Sequence, residues 1–264
     1  MNYTGKIVWI TGASSGIGEA LTYLFSKEKA KIIISARREN ELERVKNNCA
    51  ENADNIFIAA FDLLDTKNID ELTNSLIKKF GRIDLLINNG GMSQRSYIEE
   101  TPIENDRKLM EVNFFSSITL TKSVLPTMIK QKSGHIVAIS SIVGKFGFPL
   151  RSAYSASKHA LHGFYETARL ELKKKNIKVT IAIPGRVQTN ISKNALSGNG
   201  KPYGKMDGGQ KHGIPVELCA QQIIDAIKKN KKEVNIGGKE VLLVHIRRFF
   251  PAIFEKIALK VKST

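Results

Sequence analysis

The sequence predicts an α/β fold, a doubly wound parallel sheet with helices on both faces, and three observations predict it. Strand-like and helix-like segments alternate from the first residues onward. The strand-like segments are runs of Ile, Val and Leu with hardly any polar alternation, the pattern of strands covered on both faces. A glycine-rich turn separates the first strand from the first helix, at the point where such sheets bind ligands. No linker or shift in composition interrupts the order, so residues 1–264 read as one domain.

The elements follow in order. Strands are predicted at 6–11 (KIVWIT), 31–36 (KIIISA), 56–61, 83–88 (IDLLIN), 135–140 (HIVAIS) and 179–183, with a last short one at 234–236. Helices are predicted at 16–29, where Ile17, Leu21, Leu24 and Phe25 share a face, and at 39–52, 67–80, 103–132, 152–175 and 215–229. Segment 190–214 is rich in Gly, Asn and Pro, has no apolar period, and reads as a long mobile excursion, the kind of loop that forms a substrate lid. Segment 241–264 is an apolar, basic tail that Pro251 should divide in two.

Composition excludes several function classes. Two cysteines, Cys49 and Cys219, rule out a disulfide framework and a Cys-rich zinc site, and point to a reducing, cytoplasmic location. No apolar run approaches the roughly 20 residues that cross a bilayer. Residues 1–10 are already strand-like, so neither a signal peptide nor a membrane anchor is expected ahead of the fold. The 41 basic and 25 acidic residues give a net charge of +16, but lysine is scattered through nearly every helix rather than gathered on one face. That argues against specific nucleic-acid binding and leaves attraction to anionic surfaces or phosphorylated small molecules open.

The loop residues Gly12, Ser14, Ser15, Gly16, Ile17 and Gly18 form the expected phosphate cradle of a Rossmann-type cofactor site. Gly12 suits a tight turn, Gly16 a close approach of pyrophosphate, and Gly18 close packing of helix on strand. The phosphates would meet backbone N–H groups at the positive end of the helix dipole. No Lys-Ser or Lys-Thr follows the loop, which excludes a triphosphatase P-loop. At the tip of the second strand an NAD site calls for a carboxylate; this chain has Arg37 and Arg38, which favour the 2′-phosphate of NADP(H).

Tyr154 and Lys158 are one helical turn apart, so they share a face. An ordinary phenol, with a pKa of about 10, is a poor acid or base at neutral pH, and a neighbouring ammonium is expected to lower it. Ser141 follows the fifth strand, at the sheet edge where ligands bind. No acidic or cysteine partners are expected to complete a metal site with His159 and His162, so they read as packing or subunit-contact residues and no metal is expected.

The ordered set of Thr11 to Gly18, Asn88-Asn89-Gly90-Gly91, Asn113, Ser141, Tyr154-Ser-Ala-Ser-Lys158 and Pro184-Gly185-x-Val187-x-Thr189 resembles the short-chain dehydrogenase/reductase family over essentially the whole chain. Within it, residues 134–158 and Tyr203-Gly204-Lys205-Met206-Asp207 resemble the dehydrogenase/reductase member 7 branch, which is close to the hydroxysteroid dehydrogenases. The resemblance implies that Tyr154 is the general acid/base and that Lys158 holds the nicotinamide ribose and lowers the Tyr154 pKa. It further implies that Ser141 stabilises the substrate oxygen and that Asn113 holds a relay water. Asp62 and Leu63 would contact adenine, Asn89 and Gly90 would flank the adenosine ribose, and Pro184, Val187 and Thr189 would line the nicotinamide. The chain departs from the family at Gly90, where alanine is usual, and is expected to lack the N-terminal membrane anchor that several relatives carry.

The activity so implied is hydride transfer between NADP(H) and a carbonyl or alcohol, with an apolar substrate as the family-level expectation. A non-catalytic NADP(H)-binding regulator and a nucleotide-sugar epimerase are the alternatives. A homodimer or homotetramer is implied, with Phe164, His159 and Leu172 as candidate contacts on the 152–175 helix. For the tail, packing over the cleft or against a neighbouring subunit is preferred to the alternative, peripheral contact with an anionic membrane.

Overall fold

A computed structural model describes residues 2–260. Its main sheet has seven parallel strands in the order β3-β2-β1-β4-β6-β7-β9: β1 (Ile7–Thr11), β2 (Lys31–Ser35), β3 (Ile56–Ile58), β4 (Leu85–Asn88), β6 (Gly134–Ile139), β7 (Ile177–Pro184) and β9 (Glu233–Ile236). Two-residue strands β5 (Gln94–Arg95) and β8 (Leu196–Ser197) pair with each other apart from it. The helices are α1 (Gly16–Lys27), α2 (Glu39–Asn47), α3 (Ile69–Phe80), α4 (Ile103–Met110), α5 (Ser116–Lys130), α6 (Ser152–Leu172), α7 (Gly208–Lys211), α8 (Val216–Lys228), α9 (Leu242–Phe249) and α10 (Pro251–Lys260).

Alternation along each strand divides the core in two. Ile7 and Trp9 join Ile33, Leu86 and Ile136 beneath α3, α5 and α6, whereas Val8 and Ile10 join Ile32, Ile34, Leu85 and Ile87 beneath α1 and α8. Both faces are therefore dry, which is why these strands are almost purely aliphatic. The single tryptophan, Trp9, is fully buried and its indole N–H donates to Ser35 Oγ at 2.9 Å. β1 pairs with β2 on one side and β4 on the other. The chain thus winds outward both ways from β1, and the crevice at the C-terminal ends of β1 and β4 is the switch point where such sheets take ligands.

The structure departs from the sequence reading in three places. The expected continuous helix over 103–132 is α4 and α5 joined by a π-turn, Glu111–Phe115, in which Ser116 N–H bonds Glu111 O. The turn directs Asn113 inward, to 1% exposure. Segment 190–214 is anchored rather than free, through the β5–β8 pairing, a Val187–Ile214 bridge, and burial of Ser192, Ala195, Leu196 and Asp207. Leu172 is buried in the core and offers no subunit contact; Leu170 and Phe115 are the exposed apolar residues near there. His162 is buried beside Ser140 and takes the packing role of the sequence reading.

The tail packs with one face only. Phe254 and Ala258 are buried, and Phe254 lies against Phe146 with ring centroids 4.8 Å apart. Leu242, Phe249, Phe250, Ile253 and Leu259 stay exposed. Val261 and Lys262, counted in the tail by sequence, lie outside the described residues. Among the described residues no helix is long and apolar enough to cross a membrane.

Candidate active site

The glycine turn after β1 is built against the turn after β4. Gly12 and Gly16 have φ of +64° and +59°, the left-handed region that favours glycine. Thr11 Oγ1 accepts the N–H groups of Asn89 (3.1 Å) and Gly90 (3.0 Å), while Asn89 Nδ2 donates to the carbonyls of Thr11 (2.9 Å) and Gly12 (3.2 Å). Asn89 therefore braces the glycine turn from beneath. A Cβ on Gly18 would lie 2.3 Å from Gly12 O, so this glycine admits the turn's own carbonyl rather than a strand. Ser15, at the N-cap of α1, makes no side-chain cap bond, so the first N–H groups of the helix have no hydroxyl cap. A cradle with uncapped donors at a helix N-terminus, too tight for any side chain, fits a dinucleotide pyrophosphate.

Beyond that turn, Leu63 Cδ1 lies only 2.5 Å from where a Cβ on Gly90 would sit. The leucine occupies the space of the methyl group that alanine would bring, a physical account of the departure at Gly90. Asp62 accepts from Leu64 N–H at 3.0 Å and lies 3.9 Å from Arg37, an exposed and weak pairing. Arg38 is exposed at the N-cap of α2. Arg37 and Arg38 are both exposed beyond the end of β2, and Arg37 pairs weakly with Asp62.

The central cleft brings together Ile17, Asn89, Ser141, Tyr154, Lys158, Pro184, Val187 and Thr189. Gly12, Ser14, Gly16, Gly90, Arg37, Arg38, Asp62 and Leu63 lie outside its walls, on the turns just described. Asn113 sits behind it: Oδ1 accepts from Met92 N–H at 2.8 Å, and Nδ2 donates to Met92 O at 2.9 Å and Ser157 Oγ at 3.0 Å. Both amide hydrogens are committed, one to the turn after Asn89 at Met92 and the other to Ser157 on α6.

Tyr154 and Lys158 are buried on the first turns of α6. Lys158 Nζ donates to Ile139 O at 2.9 Å and lies 5.8 Å from the Tyr154 ring centroid. Burial lowers the Lys158 ammonium to about 8. Burial raises the Tyr154 phenol above its ordinary value, opposed by the Ser141 hydroxyl and by the charges of Arg95 and Arg151. This corrects the expectation that Lys158 lowers the Tyr154 pKa: the net shift is upward, and Lys158 is not among its causes. Desolvation dominates, and the cations acting against it are Arg95 and Arg151.

Sequence reasoning missed four residues here. Gln94 Oε1 accepts the N–H groups of Ala153 (2.9 Å) and Tyr154 (3.2 Å), pinning the first turn of α6 and with it the phenol. Arg95, Arg151 and Asp207 line the cleft beside Tyr154. Of these, Arg151 lay within the 134–158 run and Asp207 ended the Tyr203 to Asp207 string, whereas Arg95 left no sequence signal. Elsewhere His162, Glu166 and Glu233 converge with ligand atoms within 4.8 Å, and Lys145 Nζ supplies the counter-charge at 3.1 Å from Glu233 and 3.8 Å from Glu166.

Known proteins agree with this architecture. The short chain dehydrogenase family model matches residues 6–200. Human dehydrogenase/reductase SDR family member 7 is 44% identical over 246 residues, covering 91% of this chain and 73% of the relative. A Drosophila melanogaster family 7-like protein is 39% identical over 261 residues, covering 97% and 80%. Among solved structures, a short-chain dehydrogenase from Streptomyces avermitilis superposes with TM-score 0.78 at 28% identity, covering 97% of this chain and 98% of that one. A Burkholderia phymatum short-chain dehydrogenase/reductase in complex with NAD reaches TM-score 0.83 over 100% of this chain and 98% of that one, but at 21% identity it bears on the fold alone. The chain is a member of the short-chain dehydrogenase/reductase family, an oxidoreductase fold that binds a nicotinamide cofactor.

Proposed function

We propose that the chain is an NADP(H)-dependent reductase of apolar carbonyl compounds, or the dehydrogenase of the corresponding alcohols. The observation that carries this reading is the convergence of Ser141, Tyr154 and Lys158 on one cleft whose other walls include Met92, Val143, Phe146, Phe148 and Leu243. When bound, the nicotinamide supplies or accepts the hydride. Ser141 donates a hydrogen bond to the substrate oxygen, and Tyr154 gives that oxygen its proton in reduction or removes it in oxidation. Lys158 holds the ribose hydroxyls with a buried ammonium. Because both amide hydrogens of Asn113 are committed, a relay water at this residue would rest on main-chain atoms of the π-turn. The regulator alternative is disfavoured because the full set of reacting side chains is present. The epimerase alternative is disfavoured by the spacing of Gly12, Gly16 and Gly18.

The cofactor assignment rests on Arg37 and Arg38. Fluorescence titration is expected to show NADPH bound at least tenfold more tightly than NADH, about the value of one charge-assisted contact of 1.5–3 kcal/mol. Replacing either arginine by alanine should erode that preference. Equal affinity for the two cofactors would overturn it.

We place the protein in a reducing compartment, with Cys49 and Cys219 as free, buried thiols. We further propose a homodimer or homotetramer formed through α4, α5 and α6. Phe115 and Leu170 are exposed apolar residues there, with His159 and Phe164 alongside. Light scattering should report a multiple of the 29.3 kDa chain, and a monomer at working concentration would refute the assembly.

A further inference from the structure

Behind the cleft, a buried histidine faces two carboxylates. His162 lies one helical turn beyond Lys158 on α6, its side chain is 8% exposed, and its two ring nitrogens meet different surroundings. Nε2 is 3.0 Å from Ser140 Oγ, and that hydroxyl donates to Lys158 O at 3.4 Å. A serine has one proton to give, so Ser140 Oγ accepts from Nε2–H, and the neutral ring then presents the lone pair of Nδ1. Nδ1 has no hydrogen-bond partner. It points instead at Glu166 Oε1, 3.6 Å away and one turn further along α6, and at Glu233 Oε1, 3.8 Å away at the start of β9. A lone pair set against two anions is repulsive unless a cation lies between them. Lys145, on the turn after Ser141, brings its ammonium to 3.1 Å from Glu233 and 3.8 Å from Glu166, which offsets one of the two negative charges. It leaves Nδ1 unmatched.

We propose that His162 Nδ1, Glu166 and Glu233 form a binding site for a divalent transition-metal ion, with zinc as the ion that fits best. One imidazole nitrogen and two carboxylate oxygens are a donor set that zinc accepts, with the fourth position left to water. Donors at zinc-ligand distance around a tetrahedral ion stand about 3.3–3.6 Å apart. The three donor atoms here already lie within 4.8 Å of one another. Closing the difference falls to the glutamates, whose side chains are 48% and 33% exposed and free to adjust. One buried anchor and two exposed arms also give the ion a path in from solvent. Ser140 holds the ring by its other nitrogen, the arrangement that fixes the tautomer and orientation of a metal-bound imidazole. Calcium and magnesium fit poorly, because both call for a shell of about six or more oxygens. Lys145, His162, Glu166 and Glu233 lie outside the walls of the cleft. The ion therefore acts on the frame and not on substrate: it ties α6, which carries Tyr154 and Lys158, to the edge strand β9. Lys145 competes with it for the same carboxylates.

The test needs neither substrate nor cofactor. Calorimetric titration of the full chain with Zn²⁺ is expected to show a saturable site, and zinc at about 100 times its Kd should raise the thermal midpoint by about 5–10 °C. Outer partners of metal ligands are worth about 10–100-fold in affinity, so loss of a ligand should cost at least as much. His162→Gln and Glu166→Gln should each show that loss. Where His162→Gln does not fold, Glu166→Gln carries the test, since its side chain is half exposed. Lys145→Gln has the opposite sign: removing the competing ammonium should tighten binding about threefold or more. The exposed His159 on the same helix is the control, and His159→Gln should leave affinity unchanged. With isotope-labelled histidine, nuclear magnetic resonance should show zinc shifting Nδ1 of one of the five histidines, the one missing from His162→Gln, while its Nε2 keeps its proton. Mg²⁺ and Ca²⁺ should leave the thermal midpoint where it is. A parent chain that does not bind zinc, or variants at His162 and Glu166 that bind it as well as the parent, would overturn the proposal and leave the cluster an ion-pair network around Lys145.

Discussion

Tyr154→Phe is expected to lower turnover by about 10²–10⁴-fold while leaving cofactor affinity nearly unchanged. The ring is 8% exposed and packs in the core cluster beneath the sheet, so phenylalanine fills the same volume. Its main-chain N–H stays on Gln94 Oε1, which keeps the first turn of α6 in place. The phenolic hydroxyl alone is lost, and with it the group that exchanges a proton with the substrate oxygen. Folding stability should hold or rise slightly, because a buried hydroxyl is removed. Steady-state turnover, cofactor titration and urea unfolding of one preparation separate these effects. Turnover close to that of the parent would show that another group performs the proton transfer.

The legible parts of this protein are those whose signal is local. Parallel strands buried on both faces leave uninterrupted aliphatic runs such as Ile32-Ile33-Ile34, and these reveal the sheet without reference to any partner. Tyr154 and Lys158 are one turn apart on a single helix, so their shared face follows from spacing. The π-turn at Asn113 was not legible, because a shift of one residue within a helix barely disturbs apolar periodicity. Neither were the ion pairs of Asp207 with Arg95 and Arg151. Arg95 is 112 residues from Asp207, and Arg151 is 56 from it, so no window along the chain contains the interaction. The same distance explains why 190–214 read as mobile: what anchors it is a carboxylate whose partners lie in other elements. In the tail, Pro251 marked the break between α9 and α10, but the alternation of apolar and basic residues could not single out Phe254 as the one that packs on Phe146.

Gly18→Ala is expected to cost stability and to abolish tight cofactor binding, although alanine is the better helix former. Two effects oppose each other. In the first turn of α1 the substitution gains about 0.5–1 kcal/mol of helix propensity. Against this, the new Cβ would lie 2.3 Å from Gly12 O and 2.6 Å from Asn89 Nδ2, inside any tolerable contact. Neither neighbour yields easily. The Gly12 carbonyl is main chain, and Asn89 Nδ2 is held by the carbonyls of Thr11 and Gly12. Forced overpacking of this kind costs about 1–3 kcal/mol, and with rigid neighbours the upper end applies, so the net loss should be about 2 kcal/mol. The relief available is displacement of the Gly12 turn, which is the part of the proposed pyrophosphate cradle that must stay put. Gly163→Ala is the control. It lies mid-way along α6 on an exposed face with nothing within 4 Å of its Cβ position, and should gain about 0.5–1 kcal/mol from propensity alone. Urea midpoints moving in opposite directions at constant m, with NADPH titration lost only in Gly18→Ala, are the expected outcome. A Gly18→Ala protein as stable as its parent and still binding the cofactor would mean that the turn after β1 can shift without loss, and that the cradle is not where the pyrophosphate sits.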